Sequence, residues 1–277
     1  MSSDRARLAT DYHAGLLSKD LPHERDRLGL LEQWGDPESQ AVLAQCGLSA
    51  TSRCLEIGAG AGSIARWLAQ QCPDGRVIAV DSDARYLDGP VQPALEWRQE
   101  DIGTLEFADD SFDLIHSRLT FCHLGNRREM IDRAFRWLRP GGWLAICDPM
   151  LMPAASSADP DVRRFFAAME QAWTAQGSDM ADWARALPTR MAEAGLKDMS
   201  VRARANVIGD GGVYDHLAAS NIEQEGGYMV ERGLVPADVR DRVLALVRSS
   251  RLVELRSITL YAWGRKPLPA GSGTPES

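Results

Sequence analysis

The fold class predicted by this sequence is α/β: a doubly wound, mostly parallel sheet with helices on both faces. Three observations predict it. Apolar runs of strand length alternate with helical patterns from residue 53 to residue 148. The first run leads into a glycine-rich turn, Glu56-Ile-Gly-Ala-Gly-Ala-Gly-Ser63, and then into a helix. The second run, Val77-Ile-Ala-Val-Asp81, ends in a carboxylate.

Taken in order, the first 50 residues read as helical. Ala14-Gly-Leu-Leu17 and Arg27-Leu-Gly-Leu-Leu-Glu32 offer apolar faces, and Asp36-Pro37 opens a helix that runs through Cys46 and stops at Gly47. Strands are expected at 53–58, 76–81, 95–100, 111–116 and 142–148, with helices at 62–71, 83–88 and 127–138. Asp83 is the expected cap of the 83–88 helix. Arg139-Pro-Gly-Gly142 reads as a sharp turn, with proline stopping the helix and glycines reversing the chain. Beyond Pro149 comes a small, Pro-rich loop to Asp161. A helix follows at 162–176, with Phe165, Phe166, Met169 and Trp173 at helical spacing, and another from Met180 to Ala194 that contains Pro188. Lys197–Ile208 alternates as a strand, 212–250 is helical, and Ser257–Trp263 is a final strand. The organisation expected is a helical lid at 1–50, a cofactor-binding core at 51–150, a helical cap insertion at 151–195, strands and helices completing the sheet and cap at 196–266, and a disordered tail at 267–277.

The glycine turn and Asp81 define a ligand class. Gly58, Gly60 and Gly62 allow positive φ and close backbone approach. The helix N-terminus that follows offers unpaired N–H groups, and Asp81 sits where a carboxylate accepts both hydroxyls of a ribose. An adenosine-containing cofactor fits. A dinucleotide loop favours G-x-G-x-x-G, whose third glycine falls here on Ser63.

Composition narrows the partners. The chain has 277 residues, 44% of them hydrophobic, enough for a substantial core. Its net charge is −8 and it has no basic run, which argues against nucleic acid. It shows neither an apolar leader nor a run long enough to span a membrane, so a cytoplasmic protein away from membranes is expected. Cys46, Cys54, Cys72, Cys122 and Cys147 show no C-x-x-C spacing, so a structural zinc site is not expected, and three of them sit inside apolar strand or helix patterns, which reads as buried free thiols. A homo-oligomer is compatible with the sequence.

The Glu56-x-Gly-x-Gly-x-Gly62 pattern resembles the first motif of class I S-adenosylmethionine-dependent methyltransferases. Leu138-Arg-Pro-Gly-Gly-Trp-Leu144 is similar to that family's signature before its fifth strand. Asp109–Arg118 resembles its fourth strand, and Glu100-Asp101-Ile102 the end of its third. The N-terminal Tyr12…Glu24-x-x-Arg27-Leu28 pattern is similar to bacterial small-molecule and natural-product methyltransferases. The resemblance implies a Rossmann-like seven-stranded sheet with the last strand antiparallel, N-terminal helices and a helical cap. It implies S-adenosyl-L-methionine as cofactor and a small organic methyl acceptor, with oxygen the first choice of acceptor atom, carbon or nitrogen next, and secondary metabolism the expected setting. An NAD(P)-dependent oxidoreductase and a methyltransferase fold repurposed for another step are the rival readings.

Site residues follow from the resemblance. Gly58, Ala59, Gly60 and Gly62 cradle the methionine end and the sugar. Asp81 and Ser82 border the ribose, Asp101 accepts from the adenine amine, and Ile102 covers the ring. Glu56 reaches the ammonium, the Ser117 carbonyl lies near it, and Arg118 either clamps the carboxylate or pairs with an acid in the wall. Tyr12 and Arg27 close over the cofactor. His123 is the leading general base and also a substrate contact. His116 is the second base candidate, although a core role suits its apolar strand better. Asp148, Trp173 and Tyr228 are expected at the acceptor. No metal is expected: Asp148-Pro149 lacks the following Asn of catechol-type enzymes.

Overall fold

The computed structural model describes Leu16, Asp20 and residues 23–83, 85–87, 89–90 and 92–269. Tyr12 and the tail beyond residue 269 lie outside the described residues. Seven strands form one sheet: β1 (Arg53–Ile57), β2 (Arg76–Asp81), β3 (Leu95–Gln99), β4 (Phe112–Arg118), β5 (Leu138–Leu151), β6 (Lys197–Ile208) and β7 (Glu254–Arg265). Their order is β3-β2-β1-β4-β5-β7-β6. The β1 to β5 neighbours pair parallel, and β7 runs antiparallel to both β5 and β6. The doubly wound sheet with an antiparallel last strand is therefore present. Its order reverses between β1 and β4, and ligands of open α/β sheets bind outside the carboxyl ends of the strands at such a point.

The central strands are buried on both faces, which is why they read as continuous apolar runs. On one face Leu55, Ile57, Ile115 and Ile146 pack under α3 (Arg127–Trp137) and α5 (Trp183–Glu193). On the other, Cys54, Val77, Leu114 and Tyr261 meet α2 (Ser63–Gln71) and the end of α1 (Glu24–Leu43). A third core joins α4 (Pro160–Ala175), α6 (Val213–Glu231) and α7 (Ala237–Arg248). These helices and α1 form the cap, with α1 packed on α6. No helix among the described residues is long and apolar enough to cross a membrane.

Four local expectations change. The first is the start of the N-terminal helix. Pro37 does not open it; α1 is continuous from Glu24 to Leu43 with the proline inside. The ring removes one amide donor, and packing against α6 carries the helix past the loss. Gly47, at φ 65°, ends the 3₁₀ turn that follows, as expected.

The second is the helix expected at 83–88, which does not form: the described residues there are bends and turns. Asp81 and Asp83 each accept the amide two residues on, Asp83 N at 3.0 Å and Arg85 N at 3.1 Å. These Asx turns compete with helix formation.

The third concerns residues 139–142, which are not a separate reversing turn but an irregular stretch inside β5. Leu138 pairs with Phe112 and Trp143 with Leu114, so the β5 side is longer and bulges, with Gly141 at φ 85°.

The fourth concerns residues 151–195, which do not act as one cap. α4 belongs to the cap core, whereas Trp183, Leu187 and Met191 of α5 are buried against the sheet.

Candidate active site

The glycine turn leaves β1 at the switch point. The amides of Gly58 and Ala59 both donate to the Val80 carbonyl, at 2.9 and 3.0 Å, which ties the turn to β2. Gly58, Gly60 and Gly62 have φ of 72°, 60° and 88°, a region that side chains other than glycine rarely adopt. A Cβ on Gly58 would lie 1.9 Å from Thr120 Oγ1, and one on Gly62 2.5 Å from Trp97. Around Gly60 the space is open: the nearest atom to its Cβ position is Leu28 Cδ2 at 3.9 Å. Asp81 Oδ2 accepts from Gly60 N at 2.8 Å, which holds the carboxylate beside the turn. The turn borders a cavity whose wall includes Glu56, Arg118 and, from α1, Leu28 and Glu32.

Behind the turn, Glu56 Oε2 meets His116 Nδ1 at 2.7 Å, and both residues are buried. His116 is therefore a buried histidine paired with Glu56, the core arrangement that suits its apolar strand. Ser117 Oγ donates to the Ile57 carbonyl at 3.0 Å. Arg118 takes the second of its two expected roles: it pairs with Asp36 at 2.8 Å and donates to Ser39 Oγ at 3.3 Å, while still lining the cavity. Asp36 also accepts from Ser63 Oγ at 2.9 Å. One α1 carboxylate thus fastens the N-terminal helix to both β4 and α2.

The adenosine side is less assembled. Asp101 is exposed, and its Oδ1 accepts the Gly103 amide at 2.8 Å. Ile102 is buried in the sheet core, and Ser82 is exposed in the bend after β2. Arg27 is not drawn to the turn. It is buried and holds Glu24 through two bonds of 2.7 and 2.8 Å.

The residues expected at the acceptor lie around the short helix Phe121–His123 and the cap helices near it. His123 Nδ1 bonds Ser178 Oγ at 2.9 Å, and its ring centroid is 5.0 Å from that of Trp173. Burial, with Arg127 and Arg27 adding to it, lowers its pKa to about 4; the ring is neutral at pH 7 and can accept a proton. Trp173 Nε1 donates to Glu225 Oε2 at 3.2 Å, and burial raises that carboxyl to about 7. Tyr228 is half-buried, with the Arg232 guanidinium 3.6 Å from its ring centre.

Asp148 departs from its expected place. It is fully buried, accepts from Trp183 Nε1 at 2.7 Å, and has Cys122 beside it. Burial raises it to about 7. It packs between β5, α5 and the Phe121–His123 turn. His216 is exposed on α6. Glu32, Asp36, Ser178 and Glu225 escaped the sequence reading. Only Leu28, Glu32 and Asp36 carried a signal, the four-residue spacing of one helix face.

Sheet order, glycine turn and acidic second strand define a class I S-adenosylmethionine-dependent methyltransferase fold, and the chain resembles that family. Residues 55–146 match the family described as a methyltransferase domain. A methyltransferase of Strobilurus tenacellus, str3, is 32% identical over 145 residues, covering 50% of this chain and 50% of the relative. The chain spans about half the length of the curated relatives it matches first. Among solved structures, phosphoethanolamine N-methyltransferase 2 of Haemonchus contortus, in complex with phosphomonomethylethanolamine and S-adenosylhomocysteine, aligns with a TM-score of 0.53 at 16% identity. That alignment covers 95% of this chain and 58% of that one. The [4+2]-cyclase SpnF aligns with a TM-score of 0.53 at 15% identity, covering 84% of this chain and 81% of its own. At these identities the structures speak for the fold.

Proposed function

We propose that this protein is an S-adenosylmethionine-dependent methyltransferase acting on a small organic molecule, with oxygen the first choice of acceptor atom and secondary metabolism its setting. The observation that carries the reading is the cradle itself: three positive-φ glycines, open space at Gly60, and Asp81 held beside them. These residues fit the cofactor. The turn takes the sugar and methionine backbone, Asp81 the ribose hydroxyls, and Glu56, held by His116, the amino group. The bound cofactor supplies an electrophilic methyl on a sulfonium. The protein's part is to fix the acceptor in line and to exclude water. His123 is the base for a hydroxyl acceptor in this reading, supported by the contacts of its ring with Ser178 and Trp173.

Calorimetry tests the cofactor. S-adenosylmethionine and S-adenosylhomocysteine should bind in the micromolar range and NAD far more weakly. Asp81→Ala should cost at least ~1.5 kcal/mol, about tenfold, through lost charge-assisted bonds. NAD binding without heat from the methyl donor would overturn the assignment. A screen of small acceptors with labelled methyl tests the reaction. A second reading is favoured by one finding: a cyclase shares this fold over 84% of the chain. Tight cofactor binding with no S-adenosylhomocysteine formed from any acceptor would favour it.

A further inference from the structure

We propose that Glu32 is a cofactor-binding residue: its carboxylate, presented by α1 across the cavity from Glu56, receives the amino group at the amino-acid end of S-adenosylmethionine. The assignment rests on the cofactor reading above and extends it to a residue outside the glycine and strand-end motifs.

The argument begins with helix geometry. Residues four apart on a helix share a face, so Leu28, Glu32 and Asp36 form one stripe on α1. The two ends of that stripe are fixed. Asp36 is bonded to Ser63 and Arg118, and Leu28 lies over the open side of Gly60. Glu32, between them, is held at the cavity wall. Its Oε1 is buried, and no donor among the described residues reaches it at hydrogen-bond distance. The Arg66 guanidinium comes no closer than 3.8 Å. The Ser63 hydroxyl nearby is donated to Asp36. Burial, with Asp36 adding to it, raises the pKa of Glu32, and it outweighs the opposing pull of Arg66, Arg118 and Ser63.

The charge of the wall gives the ligand's chemistry. Two carboxylates, Glu32 and Glu56, line the cavity with one guanidinium, Arg118, which Asp36 already neutralises. A wall of that balance favours a cation. An ammonium brings three donors and no acceptor, so the two acids of the wall can share it. The amino-acid end of the cofactor carries one, and the turn and Asp81 direct that end into this cavity.

The test compares two ligands. S-adenosylhomocysteine has the amino-acid end; 5′-methylthioadenosine keeps the adenosine and lacks the ammonium. Titration calorimetry with wild type and Glu32→Gln should show S-adenosylhomocysteine weakened about tenfold by the substitution. 5′-Methylthioadenosine should change less than twofold. Glu32→Asp should recover part of the loss, and thermal unfolding should show Glu32→Gln as stable as wild type. Unchanged S-adenosylhomocysteine affinity would overturn the assignment. Equal weakening of both ligands would overturn it as well, since that marks a wall residue rather than an ammonium contact. Binding of neither ligand by the wild type would bring down the cofactor reading and this assignment together.

Discussion

Replacing Gly58 with alanine tests the cradle in one step. The added Cβ would sit 1.9 Å from Thr120 Oγ1 and 2.8 Å from both Thr120 Cβ and Cγ2. Thr120 cannot simply rotate away. Its hydroxyl donates to the Arg118 carbonyl at 3.1 Å, and Leu119 before it is already at φ 54°. The backbone at Gly58 is itself at φ 72°, where an alanine costs roughly 1–2 kcal/mol. Displacing the packed threonine adds roughly 1–3 kcal/mol, as other overpacked sites do. The sum, about 2–5 kcal/mol, corresponds to a fall in unfolding temperature of roughly 4–20 °C for a chain of this size. Because Thr120 borders the helical turn that carries His123, S-adenosylhomocysteine should also bind at least tenfold more weakly. Differential scanning calorimetry and ligand titration read the two effects. The double variant Gly58→Ala/Thr120→Ala removes two of the three close atoms, and it should recover about half of the lost stability while keeping the strain of positive φ. A single variant that melts and binds like wild type would refute the reasoning, as would a double variant no better than the single.

Two further outcomes concern pH and proton transfer. For a hydroxyl acceptor, His123→Ala should lower turnover by ~10²–10⁴-fold with cofactor affinity little changed; an acceptor that needs no base should cost less than about tenfold. The acidic limb removed by the substitution should lie near the pKa of about 4 set by burial and the two arginines, below the ordinary value of ~6.5. A profile unaltered in the variant would remove His123 as base. Asp148 acts on stability with the opposite sign. Its folded pKa of about 7 stands above the ordinary ~3.9, so its contribution is complete below about pH 4 and is lost as pH rises through 7. Chemical denaturation from pH 5 to pH 8 should show wild type losing stability faster than Asp148→Asn. Glu225, also near 7, leaves a smaller slope in the variant. Parallel slopes would sink the assignment.

What the chain discloses by itself is set by the range of the forces involved. β2 and β6 were legible because strand identity is carried by apolar runs and alternation inside the segment; β6 spans Lys197–Ile208 as read. The turn at 58–62 was legible because positive φ selects glycine locally. α1 was misread at Pro37 because the contacts that sustain it come from α6, nearly 200 residues away. The 83–88 helix failed for a local reason: Asp81 and Asp83 captured the amides the helix needed. Of the candidate site, Glu56, Asp81 and the glycines were singled out by motif. His116 was recognised as a core residue, although its bond to Glu56 was not foreseen. Asp148 was expected at the acceptor because it ends a strand, but the Trp183 indole draws it inward. Glu225 gave no warning, since a lone acid on a cap helix looks solvated until Trp173 is found against it.

The position of β7 has a consequence for biosynthesis. β7 lies between β5 and β6, so the sheet is not assembled in the order in which it is translated. β6 emerges before the strand that joins it to the rest. At ~5–20 residues per second, the intervening stretch 209–253 occupies the ribosome for roughly 2–9 s. Throughout that interval β5 presents an unpaired, largely apolar edge, and β6 has no strand to pair with. An edge of that kind is a template for pairing with other chains. The nascent protein therefore passes through a window in which a chaperone shielding β5 protects it and a stall before residue 254 exposes it.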